Sequence, residues 1–195
     1  MRILLIILLM PLSITGITQA NSKDHQQKSG LSIGAESPAF DPQHAWGPDK
    51  GSHACPMCKY GYHPGVMYFL NTDENWEDVK KILIRLEKES VIRKNEKFKA
   101  YLIYTNPAKL STIEMEEKLA GLGKELNIHN MALTYVPSVN DKRSSVYLHK
   151  INPLSKNTII VFNLRKVRDK FINFVPSDNN FATLFKAVDA AGKIR

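Results

Sequence analysis

Two cysteines occur among 195 residues, and they stand together as Cys55-Pro56-Met57-Cys58. Two sulfurs with two residues between them can close a small ring, and a short CxxC often carries one thiol of lowered pKa. The chemistry open to such a pair is thiolate attack on a disulfide, a mixed disulfide, and resolution by the second thiol. Pro56 limits the freedom of the loop, while Lys59 and a protonated His53 would favour a thiolate. Two other roles are open to the same residues. A permanently closed disulfide would pin a long loop. Alternatively, Cys55 and Cys58 with His53 and His63, and His44 nearby, form a soft donor set suited to copper or zinc. Lys59 stands where a c-type haem attachment needs histidine, so that reading fails. Two cysteines are also too few for a disulfide scaffold or a four-cysteine zinc site.

The amino-terminal residues say where this chemistry would take place. Arg2, the apolar residues 3–12 and the small-residue site Thr18-Gln19-Ala20 read as a signal peptide over residues 1–20. The apolar run is too short to span a bilayer, so no integral membrane segment is expected after cleavage. Asn21 follows the expected cut where a lipoprotein would have cysteine. The mature chain is thus expected in an exported compartment, periplasmic or secreted, where a disulfide persists.

The rest of the composition is that of a globular domain. Hydrophobic residues make up 43% and charged residues 24%, which argues against wholesale disorder. The formal net charge of +8 raises the question of a nucleic-acid partner. Basic residues are spread along the chain with acids close by, and no zinc finger, RNP stretch or basic-region helix is present, so no nucleic-acid partner is expected. The partners implied by the cysteine chemistry are protein or small-molecule thiols and disulfides.

Residues 21–36 are polar and aperiodic and read as a flexible leader. Residues 37–65 hold five prolines and four glycines and read as a long turn-rich segment without helix or strand. A loop of that length is uncommon in a compact domain unless it is functional, and it contains both cysteines. A regular pattern follows. Residues 66–70 form a short apolar run suited to a buried strand. Trp76, Val79, Ile82, Leu83 and Leu86 recur at helical spacing behind Asn75 as N-cap. Residues 99–104 make a second strand, and Ser111 with Glu114 forms a capping box ahead of Met115, Leu119, Leu122 and Leu126. Residues 131–136 make a third strand. Residues 158–163 and 169–175 read as a hairpin, and a last helix from Asp178 buries Phe181, Leu184, Phe185 and Val188 before Gly192. The β-α-β-α-β run with short connections predicts an α/β fold with right-handed crossovers.

An exported chain, this order of elements and the CxxC pair together resemble the thioredoxin-like superfamily, in its redoxin branch. Ser37-Pro38-Ala39-Phe40 is similar to the opening of that branch, and residues 158–162, 170–175 and 181–188 are similar to its final hairpin and helix. The stretches Gly47-Pro48-Asp49-Lys50-Gly51 and Cys55-Pro56-Met57-Cys58-Lys59-Tyr60-Gly61 are similar to a group of exported redoxin-like proteins. The resemblance implies a central mixed β-sheet flanked by helices in one domain over residues 37–195. By analogy with CxxC oxidoreductases, Cys55 is the expected nucleophile and Cys58 the resolving thiol.

The chain departs from that family at two points. Thioredoxins place the CxxC after a core strand, at the start of the next helix, where this chain has Asn71-Thr72-Asp73-Glu74-Asn75. The family's proline before the strand at 158–162 is replaced by Asn157. Cys55 and Cys58 therefore lie one element early. The expected function is an exported thiol-disulfide redox protein. The alternatives are the copper or zinc site, and a non-catalytic binding module with a structural disulfide that holds a partner through Trp46, Tyr60 and Tyr62.

Overall fold

The computed structural model describes residues 28–194. The expected signal peptide at 1–20 and the first part of the leader lie outside the described residues. In chain order the elements are β1 (Gln43–Trp46), α1 (Pro56–Tyr60), β2 (Gly65–Leu70), α2 (Trp76–Ile92), β3 (Lys99–Tyr104), α3 (Thr112–Glu125), β4 (Ala132–Tyr135), β5 (Asn157–Asn163), β6 (Lys166–Ile172) and α4 (Asp178–Gly192). A 3-10 turn covers Val146–His149.

The six strands form one mixed sheet in the order β1-β4-β3-β2-β5-β6. The β2, β3 and β4 strands are parallel, joined by the crossovers through α2 and α3. Strand β1 runs antiparallel to β4, β5 to β2, and β6 to β5. Strict alternation along the central strands divides the core in two. Val66, Tyr68, Leu70, Leu102, Ile159 and Val161 face the layer built by α2, α3 and α4. Met67, Phe69, Tyr101, Ile103, Ile160 and Phe162 face the other way, against Phe40, Met57, Val146 and Ile151. Right-handed crossovers put α2 and α3 on the same face. The opposite face is therefore covered by α1 and irregular chain, and this is the layer that carries the cysteines.

Three expectations are corrected here. Residues 37–65 are not free of regular structure, because β1 and α1 lie inside them. Residues 28–36 of the expected flexible leader are held against the sheet. Ser29 is buried with its hydroxyl 2.6 Å from that of Thr158, the Lys170 ammonium donates to the Ser29 carbonyl at 3.0 Å, and Ala35 and Val167 share a backbone hydrogen bond of 2.9 Å. The second hairpin strand begins at Lys166 rather than at 169, because Leu164 and Arg165 both take positive φ (52° and 57°). That pairing of left-handed residues makes a two-residue hairpin turn whose twist matches the flanking strands. Neither residue is a glycine or asparagine, so the usual signal was missing.

The helix termini follow the sequence closely. Asn75 caps α2, its side chain accepting from the Asp78 N–H at 3.3 Å. Ser111 and Glu114 make the capping box at α3 in both directions. Among the described residues no helix is long and apolar enough to cross a membrane.

Candidate redox site

Strand β1 is four residues long, and a turn at Gly47–Gly51 returns the chain towards Cys55. Gly47 has φ of 82°, and a side chain there would collide with the Met131 carbonyl, so the turn needs glycine on both counts. The buried His44 ring then fixes the approach to the cysteines. Its Nε2 lies 2.9 Å from the Ala54 carbonyl and its Nδ1 3.2 Å from the Pro48 carbonyl. The backbone of His44 adds two more ties, receiving from Gly51 N–H at 2.8 Å and donating to Ser52 at 2.9 Å.

Cys55 is the N-cap of α1 and Pro56 its first residue, a position where the missing N–H of proline costs nothing. Cys55 and Cys58 are joined as a disulfide with their Cα atoms 5.3 Å apart. The Cys58 N–H donates to Cys55 Sγ at 3.1 Å. Cys55 is half-buried against the second core layer, whereas Cys58 is exposed. That exposure runs opposite to the assignment expected by analogy, in which Cys55 is the nucleophile.

Lys59, next to Cys58, pairs with Asp49, and this hydrogen bond is the main reason its ammonium is held above the usual value. Lys59 and Lys99 lie over the Tyr60 ring, 5.2 and 4.9 Å from its centre. Tyr60 in turn leans on Tyr101, with ring centres 6.5 Å apart. The Tyr101 hydroxyl is buried without a hydrogen-bond partner among the described residues. Burial is the main cause that pushes its phenol far above the ordinary value, with Tyr60 and Asp49 adding to it.

The other expected site residues are not gathered here. His53 is exposed and lines a cleft of about 740 Å³ with Tyr135, Asp141 and Arg143. His63 lies beyond the end of α1, its backbone tied to the Tyr60 carbonyl at 3.0 Å. His44 has both ring nitrogens facing backbone carbonyls. Among the described residues no group of three or more His, Cys, Asp or Glu side chains is placed to hold a metal ion. Of the aromatic residues expected to hold a partner, Trp46 donates to the Ile128 carbonyl at 2.7 Å and packs on α3, and Tyr60 covers Tyr101. Only Tyr62 is exposed, at 62%. Sequence reasoning placed Cys55 and Cys58 but not the parts His44, Asp49 and Tyr101 play beneath them. The four-residue β1 carries no β-branched residue and gave no strand signal.

The turn after β2, where thioredoxins keep their cysteines, holds oxygen and nitrogen groups instead. Asn71 donates to the Ser155 carbonyl at 3.0 Å, and Asp73 accepts from Tyr104 and Lys118. Glu74 pairs with Lys156 at 2.9 Å. Asn157, in place of the proline, exchanges two hydrogen bonds with the Phe174 backbone, at 2.8 and 3.1 Å.

Strand order, crossovers and the closing hairpin and helix define a thioredoxin-like fold, with a CxxC pair moved ahead of its first central strand. Solved structures agree on that fold. Peroxidoxin BcpB from Mycobacterium tuberculosis superposes with a TM-score of 0.59 at 17% identity, over 85% of this chain and 99% of its own. A candidate protein disulfide isomerase from Bacteroides thetaiotaomicron gives 0.61 at 15% identity, over 86% and 95%. A candidate thiol:disulfide interchange protein, DsbE, from Chlorobium tepidum gives 0.61 at 13%, over 83% and 99%. No family model and no curated protein matches the sequence.

Proposed function

We propose that this protein is an exported thiol-disulfide redox protein that exchanges electrons with protein or small-molecule thiols through Cys55 and Cys58. The observation that carries the reading is a CxxC disulfide whose second residue, Cys58, is exposed, on a thioredoxin-like fold. Solved neighbours of the same fold include proteins described as a disulfide isomerase and a thiol:disulfide interchange protein, which supports this class of chemistry. Export rests on the signal-peptide pattern of residues 1–20, and would keep the protein where such exchange operates.

The testing measurement is the reduction potential of the pair, read by equilibrating the protein with glutathione or dithiothreitol buffers. A value between about −120 and −270 mV, the range of exchange-active pairs, is expected. A value below about −300 mV would mark a structural staple and overturn the proposal. Export is checked separately by fractionating cells that express the full chain. Retention of the uncut chain in the cytosol would refute that part.

A further inference from the structure

We infer that Cys58 is the sulfur attacked by an incoming thiolate and that Cys55 is the sulfur that leaves, an inference that rests on the redox reading above. The two sulfurs are chemically alike, so access and leaving-group stabilisation decide between them. Cys58 is exposed on the outer side of α1. Cys55 is half-buried and packs against the layer that contains Met57 and Tyr101. Displacement at a sulfur proceeds along the S–S axis, from the side away from the leaving atom. Attack on Cys55 would have to come from the side of Cys55 remote from Cys58, and Cys55 is the sulfur covered by packing. Cys58, the more exposed residue of the pair, offers the more open approach.

The hydrogen bond at 3.1 Å from the Cys58 N–H to Cys55 Sγ favours the same order. When the bond breaks, negative charge develops on Cys55, and that N–H is already aimed at it. A hydrogen bond to a charged sulfur is stronger than one to a neutral sulfur, so it stabilises the departing thiolate more than the closed disulfide.

The exchange balances as follows. A partner thiolate forms a bond to Cys58 Sγ, the Cys55–Cys58 bond breaks, and its electron pair leaves on Cys55. A second thiolate of the partner then attacks the partner's own sulfur in the mixed disulfide and releases Cys58 as a thiolate. The partner dithiol is oxidised to a disulfide, the pair gains two electrons, and the two partner protons pass to the cysteines or to solvent. In the opposite direction Cys58 attacks the partner's disulfide and Cys55 resolves it.

The test uses reduced Cys55→Ser and Cys58→Ser proteins, each checked for folding by circular dichroism, with oxidised glutathione as the probe. Compared at about pH 10, where both thiols are ionised, the Cys55→Ser protein, which keeps Cys58, is expected to form its glutathione adduct at least ten times faster than the Cys58→Ser protein. Independently, oxidised wild type mixed with reduced glutathione and quenched in acid should carry the adduct on Cys58 when its peptides are fragmented in a mass spectrometer. Equal rates, or an adduct on Cys55, would overturn the assignment and leave the redox reading intact. A disulfide that stays closed in dithiothreitol, with no adduct on either variant, would overturn both.

Discussion

The Tyr104 hydroxyl donates to the carboxylate of Asp73, 2.8 and 2.9 Å from its two oxygens, and Lys118 joins the same carboxylate at 2.6 Å. Asp73 lies just past the end of β2, at the carboxyl edge where parallel α/β sheets present their sites. Lys118 also lies over the Trp76 and Tyr104 rings, at 4.4 and 5.1 Å. The edge is thus closed by a satisfied polar network, while the sulfurs sit on another part of the molecule.

Removing that carboxylate should cost stability and nothing else. Asp73→Ala leaves the Tyr104 hydroxyl and the Lys118 ammonium without their acceptor, a loss of about 1–3 kcal/mol. For a chain of this size that lowers Tm by roughly 2–12 °C. The reduction potential of Cys55–Cys58 should not move. A shift of more than about 30 mV, the equivalent of a tenfold change in equilibrium constant, would show that the edge and the sulfurs are coupled after all.

His149 makes stability depend on pH. Its ring is fully buried between Phe40 and Phe69, with centres 4.7 and 5.4 Å away. Burial pushes its pKa down to about 4, and the nearby Pro38 carbonyl offsets this only in part, without making a hydrogen bond of full geometry. The folded state therefore binds the proton less readily than the unfolded state, whose histidine titrates near 6.5. The penalty is absent above about pH 6.5 and grows as pH falls towards 4. Denaturant unfolding should show a wild-type loss of about 2–3 kcal/mol between pH 7.5 and 4.5 that is missing in His149→Phe. Parallel pH profiles for the two proteins would refute this.

Two glycines of α3 should respond in opposite ways to alanine. Gly123 lies under the Trp46 indole, and an added Cβ would fall 2.5 Å from Nε1 and closer still to other ring atoms. The ring is held by its hydrogen bond to Ile128, so Gly123→Ala should destabilise by about 1–3 kcal/mol despite the better helix propensity of alanine. At Gly121 nothing lies within 4 Å, and Gly121→Ala should be neutral or stabilising by up to about 1 kcal/mol. Urea unfolding midpoints of the two variants measure the contrast. A Gly123→Ala protein as stable as wild type would mean that Trp46 is free to move aside.

Much of this protein is written in local patterns. The 99–104 strand, the N-cap at Asn75, the capping box at Ser111 and the α4 face with Leu184, Phe185 and Val188 were all readable, because each depends on residues within one or two turns of one another. The layer over the second sheet face was not. Its β1 is too short for periodicity to register, its hairpin turn uses Leu164 and Arg165 rather than a glycine pair, and the hold on residues 28–36 comes from Thr158 and Lys170, more than a hundred residues away.

The cysteine pair divides along the same line. Sequence alone determined the spacing of Cys55 and Cys58, the lysine that follows them, and their place ahead of the first central strand. Their unequal exposure is a property of the tertiary structure. It depends on which side of a five-residue helix meets the sheet, and buried Met57 directs that side inward. Tyr101 and the carbonyl-anchored His44 lie beneath, on strands separated from the pair in sequence. Spacing is a covalent property, whereas exposure is set by packing between distant segments. Which of the two cysteines is exposed was therefore decided only when the chain folded.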